Sequence, residues 1–242
     1  MHRLLVETPL LAETSPALPR EAARHLKVLR PDAGERIELF DGRGASRVYA
    51  WRDGELEAVG PVAASSVSDR ARLTLFACVT KGSRWDWTIE KATELGVSRI
   101  VPVISARTIV RLGADEREAK RERWMRIAED AARQSDAKWL PEICPSVDFA
   151  ASLGMVRETT CLIGALTDPP SPPIGAALSA LDAAALEKGL AVYVGPEGDF
   201  TPAELEALVK VARPVSFGPT VLRAETAAIF AVSVAVAKLA EK

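Results

Sequence analysis

From Arg72 to the C-terminus, short apolar runs alternate with stretches of helical periodicity, and few folds accommodate that rhythm. Leu73 to Thr80 reads as a strand, followed by a helix from about Trp85 to Leu95 that stops at Gly96, and then by a strand from Arg99 to Ser105. A long helix from about Glu116 to Gln134 sets Trp124, Ile127, Ala128 and Ala131 on one face and charges on the others. Weaker apolar runs surround Ile143 and span Cys161 to Leu166, ahead of Asp168-Pro169-Pro170-Ser171-Pro172-Pro173, which must be a loop. Strand Leu190 to Val194, helix Pro202 to Ala212, strand Val215 to Phe217 and a helix from about Ala224 complete the series. Alternation of this kind predicts an α/β fold with a parallel sheet covered on both faces.

The residues before Arg72 read differently. Arg3 to Glu7, Glu35 to Phe40, Ser46 to Trp51 and Glu55 to Val62 are strand-like, with Asp41-Gly42 and Asp53-Gly54 as turn signals. One helix, Pro19 to Leu29, interrupts them, and a small barrel is the natural way to close the strands. Ala64 to Arg70 reads as a linker. The expected organisation is therefore a β-rich domain over 1–68 and an α/β domain over 72–242.

Composition narrows the chemistry. Hydrophobic residues make up 48% and charged residues 26% of the 242, so a packed fold is expected rather than disorder. The longest apolar runs, such as Ala227 to Ala237, fall short of the roughly 20 residues a membrane span needs, and no leader of signal-peptide type opens the chain, so the cytoplasm is the expected compartment. Cys78, Cys144 and Cys161 are odd in number and far apart, which suits buried thiols better than disulfides or zinc. With His2 and His25 as the only histidines, a His-rich metal centre or a Ser/His/Asp triad is hard to build, and no metal is expected. The net charge of -2 excludes a general nucleic-acid coat but not a local basic face.

Two loops carry the strongest functional signal. Val192-Tyr193-Val194-Gly195-Pro196-Glu197-Gly198-Asp199-Phe200-Thr201-Pro202 is a strand running through a Gly/Pro loop into a helix whose start is marked by Thr201, Pro202 and Glu204. Phe217-Gly218-Pro219-Thr220-Val221-Leu222-Arg223-Ala224-Glu225-Thr226 repeats that layout. Loops at the carboxyl ends of parallel strands are where open α/β sheets bind ligands. An arginine at a helix start opposes the dipole preference, so Arg223 asks for a functional reason. A nicotinamide dehydrogenase is disfavoured, because no Gly-x-Gly-x-x-Gly follows the first strand of the α/β domain.

The pair Gly195-Pro196-Glu197-Gly198 and Leu222-Arg223-Ala224-Glu225-Thr226-Ala227 resembles the SPOUT methyltransferases, specifically the RsmE family of ribosomal RNA uridine-N3 methyltransferases. Lys81-Gly82-Ser83-Arg84, Lys91-Ala92-Thr93-Glu94-Leu95-Gly96-Val97 and Ile100-Val101-Pro102-Val103 are similar to its middle motifs; His25-Leu26-Lys27-Val28-Leu29-Arg30 and Leu39-Phe40-Asp41-Gly42 are similar to its PUA-like barrel. The resemblance implies a C-terminal trefoil knot, a homodimer, the cofactor S-adenosylmethionine, and a 16S rRNA substrate methylated at the uridine conventionally numbered 1498. It assigns the cofactor to Leu166, to Gly195, Pro196, Glu197 and Gly198, and to Phe217, Gly218, Val221 and Leu222.

Methylating uridine at N3 requires loss of the N3 proton, and the sulfonium supplies the electrophile without a metal. On that reading Arg223 stabilises the anionic base, and Glu225 or Thr226 positions it or relays the proton. Expected RNA contacts are Arg3, Arg24, His25, Arg30, Lys81, Arg84 and Gln134, with Arg20, Lys27, Arg43 and Arg47 as further phosphate candidates. Trp85 and Trp87 are expected in the core rather than stacked on a base. The family's Glu-Gln-Ser-Gly-Arg-like segment reads Arg133-Gln134-Ser135-Asp136-Ala137-Lys138 here, so its arginine position is Ala137. Two alternatives stand beside this reading: a SPOUT enzyme acting on another RNA position, and a non-catalytic ribosome assembly factor of the same fold.

Overall fold

The computed structural model describes residues 1–66, 71–156, 159–165, 167 and 169–241, and it divides into two compact units. Unit 1 comprises Met1–Arg70 with Glu129–Leu140, and unit 2 comprises Ala71–Ala128 with Pro141–Lys242. Most of the expected linker, and also Leu166 and Asp168, lie outside the described residues.

Unit 1 is built on five strands: β1 (His2–Leu5), β2 (Arg36–Phe40), β3 (Ala45–Arg52), β4 (Glu55–Ala58) and β5 (Ala63–Ala64). Their order is β1-β2-β3-β4, with β5 on the far stretch of β3; β1 runs parallel to β2 and the remaining pairs are antiparallel. Asp53 and Gly54 both take positive φ, the geometry of a tight two-residue hairpin, as the Asp-Gly signal predicts. A short 3-10 turn over Thr8–Ala12 follows β1, a local tightening that the apolar pattern did not show. Helix α1 (Arg20–Leu29) buries Leu26 against a core of Leu4, Leu11, Ile37, Leu39, Tyr49 and Leu56.

The segment 129–140 joins this unit through close packing. Gly42 and Gly44 have φ of +65° and +98°, and a Cβ on either would stand 2.6 Å from Leu140 or 2.4 Å from Trp139, so only glycine fits the turn. Arg3 completes the join: 5% exposed, it donates to Glu38 Oε2 at 2.6 Å, to the Ala132 carbonyl at 2.7 Å and to the Ala137 carbonyl at 3.2 Å, and lies over the Phe40 ring. Arg3 is expected from the sequence to contact RNA; in the structure it is buried and its donors are engaged inside the unit, where losing them would leave buried acceptors unpaired.

Unit 2 is a parallel sheet of seven strands. These are β6 (Leu73–Cys78), β7 (Arg99–Ile104), β8 (Glu142–Ile143), β9 (Val147–Asp148), β10 (Thr160–Gly164), β11 (Leu190–Val194) and β12 (Arg213–Val215). The order is β12-β10-β11-β6-β7-β8, with β9 also on β7, and every pairing is parallel. The helices are α2 (Ser83–Glu94), α3 (Ala114–Gln134, whose end from Glu129 belongs to unit 1), α4 (Phe149–Gly154), α5 (Ile174–Ser179), α6 (Ala183–Lys188), α7 (Pro202–Leu208) and α8 (Ala224–Leu239). α4, α5 and α6 were not foreseen: six residues are too few to display a helical period. The last strand lies slightly before the expected Val215 to Phe217, which leaves Phe217 in the loop.

Side chains of the central strands alternate between two cores. Leu190, Val192 and Val194 face one side with Leu73, Leu75 and Ala77; Ala191 and Tyr193 face the other with Phe76 and Cys78. On the first side α8 lies across β6 and β11, between α2 and α5. Its buried residues include Ala224, Ala227, Ala228, Ala231 and Ala235, small side chains that let the helix approach the sheet closely. Trp85 and Trp124 meet edge to face at 5.7 Å in this core, whereas Trp87 is 40% exposed, a correction to its expected burial. Trp87 sits on the same short helix two positions from Trp85 and so points the other way. All three cysteines are buried and unpaired, and burial pushes the thiols of Cys78 and Cys161 up to about 12. Among the described residues no helix is long and apolar enough to cross a membrane.

Candidate functional site

Because β12, β10 and β11 are parallel neighbours, their carboxyl ends lie side by side and their loops converge. A cavity of about 340 Å³ opens there. Gly164 and Ala165 at the end of β10, Val194 to Glu197 with Asp199 after β11, and Ser216 to Gly218 with Thr220 to Ala224 after β12 line it, with Ala227 of α8 beneath. The walls thus combine main chain, three glycines and the apolar side chains of Phe217, Val221 and Leu222.

Two of the glycines are there for space and the third for its backbone. A Cβ on Gly164 would lie 2.2 Å from the Phe217 ring, and one on Gly195 would lie 3.0 Å from the Phe200 ring. Gly218 has φ +123° and its Cβ would meet no protein atom within 4 Å. Phe217 is held from behind by Phe230 of α8, ring centroids 6.0 Å apart.

The loop after β11 is rigidly specified. The Asp199 amide donates to the Pro196 carbonyl at 2.9 Å, Asp199 takes φ +59°, and its Oδ1 accepts from the Phe200 amide at 2.7 Å. The capping box expected at α7 is present, with Thr201 Oγ1 accepting from the Glu204 amide at 3.2 Å and Glu204 Oε2 accepting from the Thr201 amide at 2.9 Å. Glu204 Oε1 also accepts from the Ala106 amide at 2.8 Å, and Arg107 donates to the Gly198 carbonyl at 2.8 Å, so the loop following β7 clamps this one. Burial raises the Glu204 carboxyl, but the Ala106 and Thr201 donors and the Arg107 charge outweigh it and hold the group below its usual value.

Charge gathers beside the cavity. Arg84, in the first turn of α2, stands between two carboxylates: its Nη1 is 3.6 Å from Glu197 Oε1 and its Nε is 3.7 Å from Glu225 Oε1. These are ion-pair distances, too long for hydrogen bonds. Glu225 is only 12% exposed at its side chain, and its Oε2 is buried without a hydrogen-bond partner among the described residues. A buried, unsatisfied carboxylate oxygen is costly, and such a group asks for a partner that arrives later.

Arg223 occupies the N-cap of α8 with extended backbone and makes no side-chain cap. Its exposed guanidinium lines the cavity and has no ion pair or hydrogen bond among the described residues. This removes the dipole objection, since the side chain serves the cavity rather than the helix end.

Most expected cofactor residues come together here: Gly195, Pro196, Glu197, Phe217, Gly218, Val221 and Leu222 all line the cavity. Gly198 does not, because its carbonyl is turned to Arg107, and Leu166 lies outside the described residues. Glu225 and Thr226 stand on the first turn of α8 beside the lining rather than in it. Sequence reasoning missed Gly164, Asp199, Ser216 and Thr220; the end of the Cys161 to Leu166 run could have flagged Gly164. Among the expected RNA contacts, Lys81 and Gln134 are exposed in units 2 and 1 respectively. Arg47, once a phosphate candidate, is used inside unit 1, donating to the carbonyls of Gly60, Leu11, Ala12 and Glu13.

A sequence model of the RNA methyltransferase domain matches residues 68–236. A ribosomal RNA small subunit methyltransferase E from Synechocystis is 31% identical over 234 residues, covering 93% of this chain and 74% of that protein. The solved structure of a ribosomal RNA small subunit methyltransferase E from Neisseria gonorrhoeae bound to S-adenosyl methionine superposes with a TM-score of 0.79 at 29% identity, covering 96% of this chain and 95% of the other. A methyltransferase from Legionella pneumophila, solved in complex with the cofactor SAM, superposes with a TM-score of 0.77 at 27% identity over 97% and 96% of the two chains.

Proposed function

The chain belongs to the RNA methyltransferase domain family and, within it, to the ribosomal RNA small subunit methyltransferase E group, and from that premise we propose that it transfers a methyl group from S-adenosylmethionine to N3 of a uridine in 16S rRNA, the position conventionally numbered 1498. The observation that carries this reading is the cavity at three strand ends, walled by glycine main chain and apolar side chains, with the unpartnered Arg223 on its lining.

The lining fits S-adenosylmethionine. Gly164, Gly195 and Gly218 keep the walls free of side chains, so a ligand can approach the main chain. Phe217, Val221 and Leu222 offer apolar surface for an adenine, while Glu197 and Asp199 offer acidic acceptors for the polar groups of the ribose and methionine parts. Bound there, the cofactor supplies an electrophilic methyl on a sulfonium.

The protein's own groups have the remaining work. Arg223 presents a planar fork that stabilises the uracil oxygens as N3 loses its proton. Glu225, through its Oε2, which has no hydrogen-bond partner among the described residues, accepts that proton or orients the base, with Arg84 standing 3.7 Å from its other oxygen. Thr226, exposed on the same turn, positions the base. In this reading unit 2 carries the trefoil knot of the SPOUT fold and unit 1 is the PUA-like RNA-binding domain, which takes in Glu129–Leu140 besides the N-terminal residues expected from the sequence. The active form is a cytoplasmic homodimer.

Calorimetry with S-adenosylmethionine, paired with methyl transfer to small ribosomal subunits, tests the proposal. Wild-type protein shows saturable cofactor heat and transfers methyl; Arg223→Lys binds the cofactor normally but transfers at least tenfold more slowly. Wild-type rates in that variant would remove Arg223 from the chemistry. Saturable RNA binding with no cofactor heat would favour an assembly factor.

A further inference from the structure

Unit 1 contains a second cavity, of about 580 Å³, that lies wholly within it and is separate from the cavity at the strand ends of unit 2. It opens between the second half of α1, the loop 15–18 and the β3–β4 hairpin. Leu18, Leu26 and Leu56 form an apolar floor, Trp51 presents a partly exposed indole, and Lys27 and Arg30 stand on the rim opposite Glu55. We infer that this cavity is a nucleotide subsite, in which one unpaired base of the RNA substrate stacks on Trp51 while its flanking phosphates run along α1. The inference rests on the reading of the chain as an RNA methyltransferase and adds a recognition site away from the reacting base.

Charge along α1 supports the assignment. Arg20, Arg24 and Lys27 follow the i, i+4, i+7 spacing of one helical face, and Arg30 continues the row at the C-cap. All four are exposed, and none has an ion pair or side-chain hydrogen bond among the described residues, while Glu21 is the only acid in the helix. Arg3, Arg47 and Arg52 of the same unit have protein partners, whereas Arg36 and Arg43 share the lack of a side-chain partner among the described residues but lie apart from α1 and do not line the cavity. A row of free cations is the pattern of a surface that meets phosphates.

The cavity supplies what the row lacks. A volume of this size suits a small ligand or a single nucleotide. Unpaired RNA bases are commonly held by stacking on an aromatic face, with basic groups following the backbone. Arg30 holds φ +46° at the rim, a left-handed backbone that arginine adopts at some cost. An unpaired base, rather than a helical groove, matches a concave pocket with one aromatic wall.

The test uses full-length protein and fluorescent single-stranded ten-mers of oligo(U) and oligo(A), an abasic ten-mer, and an RNA duplex. Wild-type protein should bind the single strands about tenfold more tightly than the abasic strand. Trp51→Leu should abolish that difference. Lys27→Ala and Arg30→Asn, the latter chosen because asparagine tolerates the left-handed backbone, should weaken both strands alike and lower the salt slope by about one each. Since Trp51 also packs against the core, 4-thiouridine cross-linking to wild-type protein provides a second readout, with adducts expected at Trp51.

Equal affinity for base-containing and abasic strands, adducts confined elsewhere, or preferential binding to peptides or anionic vesicles would overturn the inference. The two readings fail separately. Intact methyl transfer with no dependence on Trp51, Lys27 or Arg30 removes the subsite alone; Trp51-dependent binding without any methyl transfer removes the enzyme reading alone.

Discussion

Gly164→Ala places a single methyl where the structure has no room. The added Cβ would lie 2.2 Å from Phe217 Cε2, 2.6 Å from Cζ and 2.7 Å from Cδ2. Ordinary carbon contacts begin near 3.5 Å, so the ring must retreat by about 1.3 Å or the strand must shift. Phe230 blocks one direction, which leaves the cavity as the open route for a partly exposed ring. Overpacking of this kind costs about 1–3 kcal/mol, and in a domain of this size each kcal/mol lowers Tm by about 2–4 °C. A ring displaced into the cavity also occupies ligand space, so S-adenosylmethionine affinity should fall at least tenfold, or about 1.4 kcal/mol. Thermal melting and calorimetry on the same sample read the two effects. A lowered Tm with wild-type cofactor affinity would show that Phe217 does not wall the ligand, and the assignment of the cavity would fall.

Arg84→Gln removes the cation shared by Glu197 and Glu225 and should reduce kcat about tenfold or more while cofactor affinity changes little, as read by steady-state methyl transfer. Thr201→Ala deletes half of the α7 capping box and should cost about 0.5–2 kcal/mol in denaturant melts. Glu204 is held below its reference value of 4.5, so its stabilising contribution is complete above that pH and lost as pH falls through the lower folded value. Glu204→Gln should therefore melt lower than wild type at neutral pH, with the gap closing below about pH 4.5. Cys78 and Cys161, with thiols raised to about 12, should resist Ellman's reagent at pH 8 in native protein and react once it unfolds.

The alternating architecture was legible because burial on both faces writes itself into the strands. Leu190, Val192 and Val194 belong to one core and Ala191 and Tyr193 to the other, so the run is apolar throughout. Strand order was not legible, since nothing in the local sequence of β11 records that it lies between β10 and β6. The two ligand loops stood out through glycine, proline and a capping box, whereas Gly164 had no neighbours to mark it and became visible only against Phe217. Arg3 and Arg47 show the converse limit of a reading from sequence. Sequence counts them as cations available to RNA, but only the fold reveals the carboxylate and carbonyls that already hold them. Arg84, Glu197 and Glu225 come from three separate stretches of the chain, and their proximity is a product of α2 and α8 packing together beside the loop that follows β11.

The central claim is tested most directly by incubating purified protein with S-adenosylmethionine and small ribosomal subunits from cells that lack this activity, then mapping the product by mass spectrometry and primer extension. The account predicts one methyl per subunit, on N3 of the uridine conventionally numbered 1498, formed at least tenfold more slowly with Arg223→Lys. Transfer to another nucleotide or another atom would contradict the substrate assignment, and no transfer despite bound cofactor would contradict the enzyme itself.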